Sequence, residues 1–320
     1  FLWGAKKLSI PVVLAYVAIW DIKGSILFRK DAEGNVLPHC SSKNHLSIYK
    51  LYARKILKNH IIDNIFCQNV FTLMSAKKTG IISSNSWWPG LGLSDAIFVD
   101  SESSRQSFLQ NKVPSNKIYV VGHPEYDLVY ESLKNKKFIK KDFSKKYSLD
   151  INLPYLVFAV PQYFEQGEMD IKSHWSLIEA YIKEITNLKV NLLLSLHPRM
   201  DCKAYSFLEE KYNCKIMEER LCNLIGCADL FIATNSTTLY WSVLCDIKTI
   251  GIYSRNTDSY DRLESIYQEP DPKKLGMLIN KLLIQEKSLC YKDFKKLSRE
   301  EVFFGKSVDL SYVAISKVLR

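Results

Sequence analysis

Two short apolar runs, each ending in a polar cluster, constrain this chain more than any other feature. Val190-Asn191-Leu192-Leu193-Leu194-Ser195-Leu196 runs into His197-Pro198-Arg199, and Asp229-Leu230-Phe231-Ile232-Ala233-Thr234 runs into Asn235-Ser236-Thr237-Thr238. Near-continuous apolar runs of strand length, bounded by turn residues, suit parallel strands covered by helices on both faces. Ligands of an open α/β sheet bind beyond the carboxyl ends of its strands, so two polar clusters at two such ends can converge on one ligand. Leu239 to Cys245 then reads as a helix and Lys248 to Tyr253 as the next strand.

The chemistry of both clusters suits a phosphate. Ser236, Thr237 and Thr238 stand where a helix begins, a place that favours hydroxyl side chains because they satisfy free backbone N–H groups. Three in succession exceed what capping needs, and a helix N-terminus with its partial positive charge attracts phosphate. His197 reads either as an ordinary loop histidine or as a phosphate donor. Pro198 stiffens the turn after it, and Arg199 adds a cation suited to bidentate contacts. With an unperturbed pKa of about 6.5, the imidazole can donate neutral or protonated.

Composition bounds the remaining possibilities. The 320 residues, 47% of them hydrophobic, can bury one large core or two ordinary ones. The eight cysteines include no CxxC pair and read as reduced thiols of a cytosolic protein. No metal or cofactor is expected. The longest apolar run, Leu8 to Trp20, is thirteen residues, short of the roughly 20 that span a bilayer. Lys6 and Lys7 mimic a signal peptide, but no small-residue cleavage site follows. A helix end at Trp3 to Lys7 and a strand from Pro11 to Tyr16 fit better. A chain opening at Phe1 on the end of a helix suggests that the start of a first domain is missing.

The formal charge of +10 points to acidic partners. Seven lysines lie between Lys134 and Lys146. They form either a solvated face or a peripheral contact with anionic lipid headgroups. Nucleic acid is not expected, because no recognition-helix, zinc-finger or aromatic RNA-binding motif accompanies the charge. The expected location is cytoplasmic, at the inner face of a membrane if the lysines meet lipid.

Alternating helical and strand patterns give an α/β fold of two Rossmann-like domains. Residues 1–147 form the first, 148–300 the second, and 301–320 a C-terminal helix. Ile26 to Val36 resembles a hairpin, His39 to Asn44 a polar loop, and Leu46 to Ile65 shows helical spacing. Ser83 to Gly92 is a loop whose Trp87 and Trp88 either pack or line an acceptor cleft. Ala96 to Val99 is a strand, a helix runs through Leu109, and Lys117 to Val121 is a strand ended by Gly122-His123-Pro124. The lysine run and Ser148 to Leu153 form a linker. Tyr155 to Val160 opens the second domain, followed by the polar loop Pro161 to Glu168 and a helix from His174 to Leu188.

Ser94-Asp95-Ala96-Ile97-Phe98-Val99 through Lys117-Ile118-Tyr119-Val120-Val121-Gly122 resembles the end of the N-terminal domain in GT-B glycosyltransferases and UDP-N-acetylglucosamine 2-epimerases. Leu196-His197-Pro198-Arg199, Ala228 to Ala233 and Ser236-Thr237-Thr238 resemble the donor half. Bacterial sialyltransferases carry similar His-Pro and Ser-Ser/Thr motifs, and polyol-phosphate transferases of wall-polymer synthesis a His-Pro and a Ser cluster. The sialyltransferase acidic-acidic-glycine motif is not matched, since Glu165-Gln166-Gly167 lacks the second acid.

The resemblance implies glycosyl transfer from a nucleotide-sugar to a surface-glycan or lipid-linked acceptor, as in capsule or lipopolysaccharide synthesis. His197, Arg199, Asn235, Ser236, Thr237 and Thr238 would hold the donor phosphates and nucleotide. Glu165 is the candidate catalytic carboxylate, and His123, Glu168, Asp258 and Asp261, with Tyr260 beside them, are candidate sugar or acceptor contacts. The alternatives are a 2-epimerase-like isomerase and an inactive nucleotide-sugar-binding module.

Overall fold

Short β-branched and apolar segments pair side by side in both parts of this chain. The architecture is that of a computed structural model describing residues 2–15, 26, 45–234, 236–253, 266–284 and 299–320. The expected hairpin and loop between Ile26 and Asn44 fall outside the described residues, Ile26 itself excepted. The chain divides into two compact units, residues 1–122 with 309–320, and residues 123–308.

In the first unit, α1 (Leu2–Lys7) leads into β1 (Val13–Ala15), as the sequence suggests. Then come α2 (His45–Ile56), β2 (Ile61–Ile62), β3 (Ile65–Phe66), α3 (Val70–Lys78), β4 (Ala96–Val99), α4 (Glu102–Gln110) and β5 (Ile118–Val120). Strands β1, β4 and β5 form a parallel sheet in that order. The helix expected from Leu46 to Ile65 ends at Ile56, and β2 and β3 form an antiparallel pair instead. Asp63 and Asn64 both adopt positive φ, 49° and 64°, the backbone that a two-residue hairpin turn requires.

Trp87 and Trp88 are buried in the first core with Leu57, Phe66, Ile97 and Phe108, so they pack and do not line an exposed cleft. The Trp88 ring meets Phe108 edge-on at 5.5 Å between centroids. Gly90 permits this loop. Its φ is +86°, and a Cβ there would lie 1.8 Å from Ile97 Cδ1.

The second unit begins with α5 (Pro124–Lys134) and α6 (Lys136–Lys146). The lysine run is therefore largely helix where the sequence suggests a linker. Ile139 and Phe143 turn into the core while the lysines remain outside or pair. Then follow β6 (Tyr155–Ala159), α7 (Ile171–Thr186), β7 (Asn191–Ser195), α8 (Cys202–Tyr205), α9 (Phe207–Lys211), β8 (Cys214–Ile216), β9 (Leu230–Ala233), α10 (Thr238–Leu244), β10 (Lys248–Gly251), β11 (Ile266–Gln268) and α11 (Pro272–Ile284). A last helix, α12 (Ser307–Val318), contributes Ala314 to the first unit's core.

The six strands are all parallel and lie in the order β11-β10-β9-β6-β7-β8. Numbered from β6 this is 6-5-4-1-2-3, the doubly wound Rossmann order read from its far edge. Alternate side chains serve two cores. Tyr155, Val157, Leu193 and Phe231 pack on one face with Val129 of α5, Phe143 of α6 and Val243 of α10. Leu156, Phe158, Leu192, Leu194, Leu230 and Ile232 pack on the other with Ile178 and Ile182 of α7 and Leu275 and Ile279 of α11. Burial on both faces explains why these strands read as continuous apolar runs.

Helix α5 is seated through a close backbone approach. Gly226 N–H donates to the buried Ser132 hydroxyl at 3.0 Å, and a Cβ on Gly226 would lie 2.3 Å from Leu133 N. A backbone neighbour cannot swing aside as a side-chain tip can. Gly226→Ala is therefore expected to destabilise the protein by about 1–3 kcal/mol, read as a lower midpoint in urea unfolding. An unchanged midpoint would contradict this packing.

Candidate functional site

The strand order of the second sheet reverses between β6 and β9, and a crevice opens at such a point beyond the carboxyl ends. Three loops lie at this edge: 160–170 after β6, 196–201 after β7, and the segment from Thr234 into α10 after β9. The Tyr163 hydroxyl and Thr234 Oγ1 share a hydrogen bond of 3.0 Å that links the loops after β6 and β9. Burial raises the Tyr163 phenol above its ordinary pKa, against the Thr234 bond, which lowers it. Strands β7 and β9 flank β6, so their ends stand about 10 Å apart.

His197 and Arg199 occupy an exposed turn after β7. The Arg199 backbone N–H donates to His197 Nδ1 at 3.1 Å, and the chain closes through Met200 N–H to His197 O at 2.8 Å. A bare Nδ1 places the imidazole hydrogen on Nε2 in the neutral ring. Partial burial and then the Arg199 charge lower the His197 pKa, while Glu165 opposes them. His197 is thus a neutral Nε2–H donor at pH 7, with Arg199 and Glu165 within electrostatic reach.

The hydroxyl cluster divides between capping and availability. Ser236 Oγ accepts from Thr238 N–H at 3.3 Å and from Thr238 Oγ1–H at 2.9 Å, closing the first turn of α10. Its own hydroxyl hydrogen is left over, and Thr237 is exposed with no side-chain hydrogen bond among the described residues. Asn235, Asp258, Tyr260 and Asp261 lie outside the described residues.

Glu165 is held by a buried chain that the sequence does not reveal. The Tyr205 hydroxyl donates to Glu165 Oε1 at 2.8 Å, and His174 Nε2 lies 2.8 Å from the same hydroxyl. Because the phenol proton goes to the carboxylate, His174 must donate from Nε2. His174 is fully buried, and burial lowers its pKa while Glu165 raises it. Burial, then the Glu165 bond, raises the Tyr205 phenol. His174 Nδ1 and Glu165 Oε2 are buried without a hydrogen-bond partner among the described residues. Glu168 is exposed, and its charge reaches Tyr163.

His123 is built into the fold differently from His197. It caps α5, its Nδ1 accepting from Glu125 N–H at 3.1 Å, and its ring lies 5.3 Å from Tyr126. Sequence reasoning missed Tyr163, Thr234, His174 and Tyr205 as site residues. Tyr163 and Thr234 lie within segments the sequence singles out, the polar loop Pro161 to Glu168 and the run ending at Thr234. The His174–Tyr205 pairing leaves no local signal.

No protein-family profile matches the sequence, and no curated protein sequence matches it. Solved structures do. The wall teichoic acid polymerase TagF aligns at 14% identity over 69% of this chain and 57% of its own, with a TM-score of 0.47. Anabaena HepE in complex with UDP and glucose aligns at 10% identity over 99% of this chain and 73% of its own, TM-score 0.47. UDP-GlcNAc 2-epimerase from Methanocaldococcus jannaschii aligns at 16% identity over 87% and 93%, TM-score 0.46. The chain spans less than two thirds of the polymerase.

The charges around His197 give a direct check. In a histidine-resolved NMR titration, Arg199→Gln is expected to raise the His197 pKa toward its ordinary value. Glu165→Gln should lower it further, because it removes the one opposing charge. Shifts of the reverse sign would show that these side chains do not surround His197.

Proposed function

We propose that the second unit binds the diphosphate of a nucleotide-sugar at the β6/β9 switch point and that the protein is a glycosyltransferase. One observation carries the reading. Donors and one buried acceptor that have no partner among the described residues lie on the loops after β6, β7 and β9, at the edge where a doubly wound sheet binds ligands. The donors are His197 Nε2–H, the Arg199 guanidinium, and the Ser236 and Thr237 hydroxyls; the acceptor is Glu165 Oε2.

The chemistry follows from these groups. When the bond from the anomeric carbon to the terminal phosphate oxygen breaks, negative charge grows on the diphosphate. Donors already aimed at that charge lower the barrier without reorganising. A neutral His197 stabilises the leaving group by hydrogen bonding, and Arg199 supplies the fixed positive charge. Glu165 offers Oε2 to a hydroxyl of the sugar or acceptor, because Tyr205 occupies Oε1. If that hydroxyl is the nucleophile, Glu165 is the base that takes its proton. The acceptor in this reading is a surface glycan or a lipid-linked precursor.

Calorimetry with UDP, CDP and GDP tests binding. His197→Ala is expected to weaken the preferred nucleotide about tenfold or more at an unchanged melting temperature. Ser236→Ala with Thr237→Ala should weaken it similarly. Affinities unmoved by both would remove the assignment, and a loss of stability alone would reduce the hydroxyls to caps. Incubating a UDP-sugar without acceptor separates the chemistries, since a 2-epimer as product would favour an isomerase.

A further inference from the structure

The lysine run divides into two sets. Lys134 lies 3.7 Å from Glu131, Lys136 and Lys140 lie 3.6 and 2.5 Å from Asp229, and Lys146 lies 2.8 Å from Glu218 and 2.5 Å from Glu219. Lys137, Lys141 and Lys145 pair with nothing among the described residues and are exposed. They recur every fourth residue, forming a stripe about 12 Å long on one face of α6. Phe138 stands beside the stripe with 74% of its surface exposed. An aromatic ring that could have been buried is instead presented among unneutralised cations. The opposite face of the helix, through Ile139 and Phe143, is committed to the core.

We infer that the outer face of α6 is a docking surface for an anionic lipid bilayer, with Lys137, Lys141 and Lys145 at the headgroup phosphates and Phe138 inserted between them. Charge complementarity selects this partner. Polybasic segments are drawn to anionic leaflets, and an aromatic side chain gains by entering the headgroup boundary. Helix α6, at 11 residues, is far short of the roughly 20 that cross a bilayer. No helix among the described residues is long and apolar enough to cross one. The contact is therefore peripheral. Asp142, the one acidic residue of α6, is exposed beside the stripe, about one turn from Phe138 and Lys145. The surface does not depend on the nucleotide site.

The test is co-sedimentation with vesicles of pure phosphatidylcholine or of phosphatidylcholine with about 30% phosphatidylglycerol, at about 0.1 M salt. The native chain should bind the anionic vesicles only. At about fivefold per lysine, Lys137→Gln with Lys141→Gln and Lys145→Gln should lose on the order of a hundredfold in affinity. Phe138→Ser should weaken binding in a way that added salt does not mimic, and Asp142→Asn should strengthen it several-fold. A matched triple, Lys55→Gln with Lys58→Gln and Lys189→Gln, should bind like the native chain. An equal loss in that triple would overturn the assignment, showing attraction by net charge alone. Native protein that ignores anionic vesicles, or that prefers RNA to them, would overturn it as well.

Discussion

The carboxylate of Asp229 sets the register on which the second unit depends. It stands at the head of β9 and accepts the Tyr155 N–H at the head of β6 at 2.9 Å, while its own N–H donates to Tyr155 O at 2.8 Å. Lys140 Nζ reaches it from α6 at 2.5 Å. Burial works to raise the Asp229 pKa, but the Lys140 bond, the Tyr155 N–H and the lysine charges together hold it low. The ion is tolerated because it is hydrogen-bonded and paired. A one-residue slip between β6 and β9 would exchange the side chains packed on the two faces of the strand and mismatch both cores. With the heads of the strands locked, their carboxyl ends are fixed too, and Tyr163 meets Thr234 across the switch point.

The two ends of the sheet treat polar groups in opposite ways. At the amino end, Asp229 has all the partners described above. At the carboxyl end, the rings of Phe164, Trp175 and Tyr205 lie around His174, yet His174 Nδ1 and Glu165 Oε2 are unpaired among the described residues. An unsatisfied buried polar group costs about 1–3 kcal/mol. Local rules tend to be broken where function is served. The Tyr205 bond holds one oxygen of Glu165, while the other is buried without a partner among the described residues.

The apolar runs around Leu193 and Phe231 made the central strands legible, because burial on both faces leaves little room for polar residues. Their order was not legible, since nothing local states that β6 lies between β7 and β9. The partners of Glu165 were hidden for the same reason. Tyr205 is 40 residues away along the chain, and His174 sits inside an ordinary amphipathic helix. Lysine density masked α6, where Ile139 and Phe143, four positions apart, were outnumbered by seven charges. Helical spacing runs past Ile56 in the sequence because the apolar Ile61, Ile62 and Ile65 suit either period, and only the Asp63-Asn64 turn decides between them.

The two His-Pro turns show how far a local motif can carry a functional reading. In both, Nδ1 accepts the backbone N–H two residues on, at 3.1 Å, so backbone and proline impose the same tautomer. What differs is the sequel. After Pro124 the chain winds into α5, which needs a cap, and the His123 ring is 8% exposed against Tyr126. After Pro198 no helix starts at once; the chain turns back through Met200, and the His197 ring stays exposed beside Arg199. One geometry thus serves a helix end in the first case and presents a donor in the second. Only the fold around each histidine tells them apart.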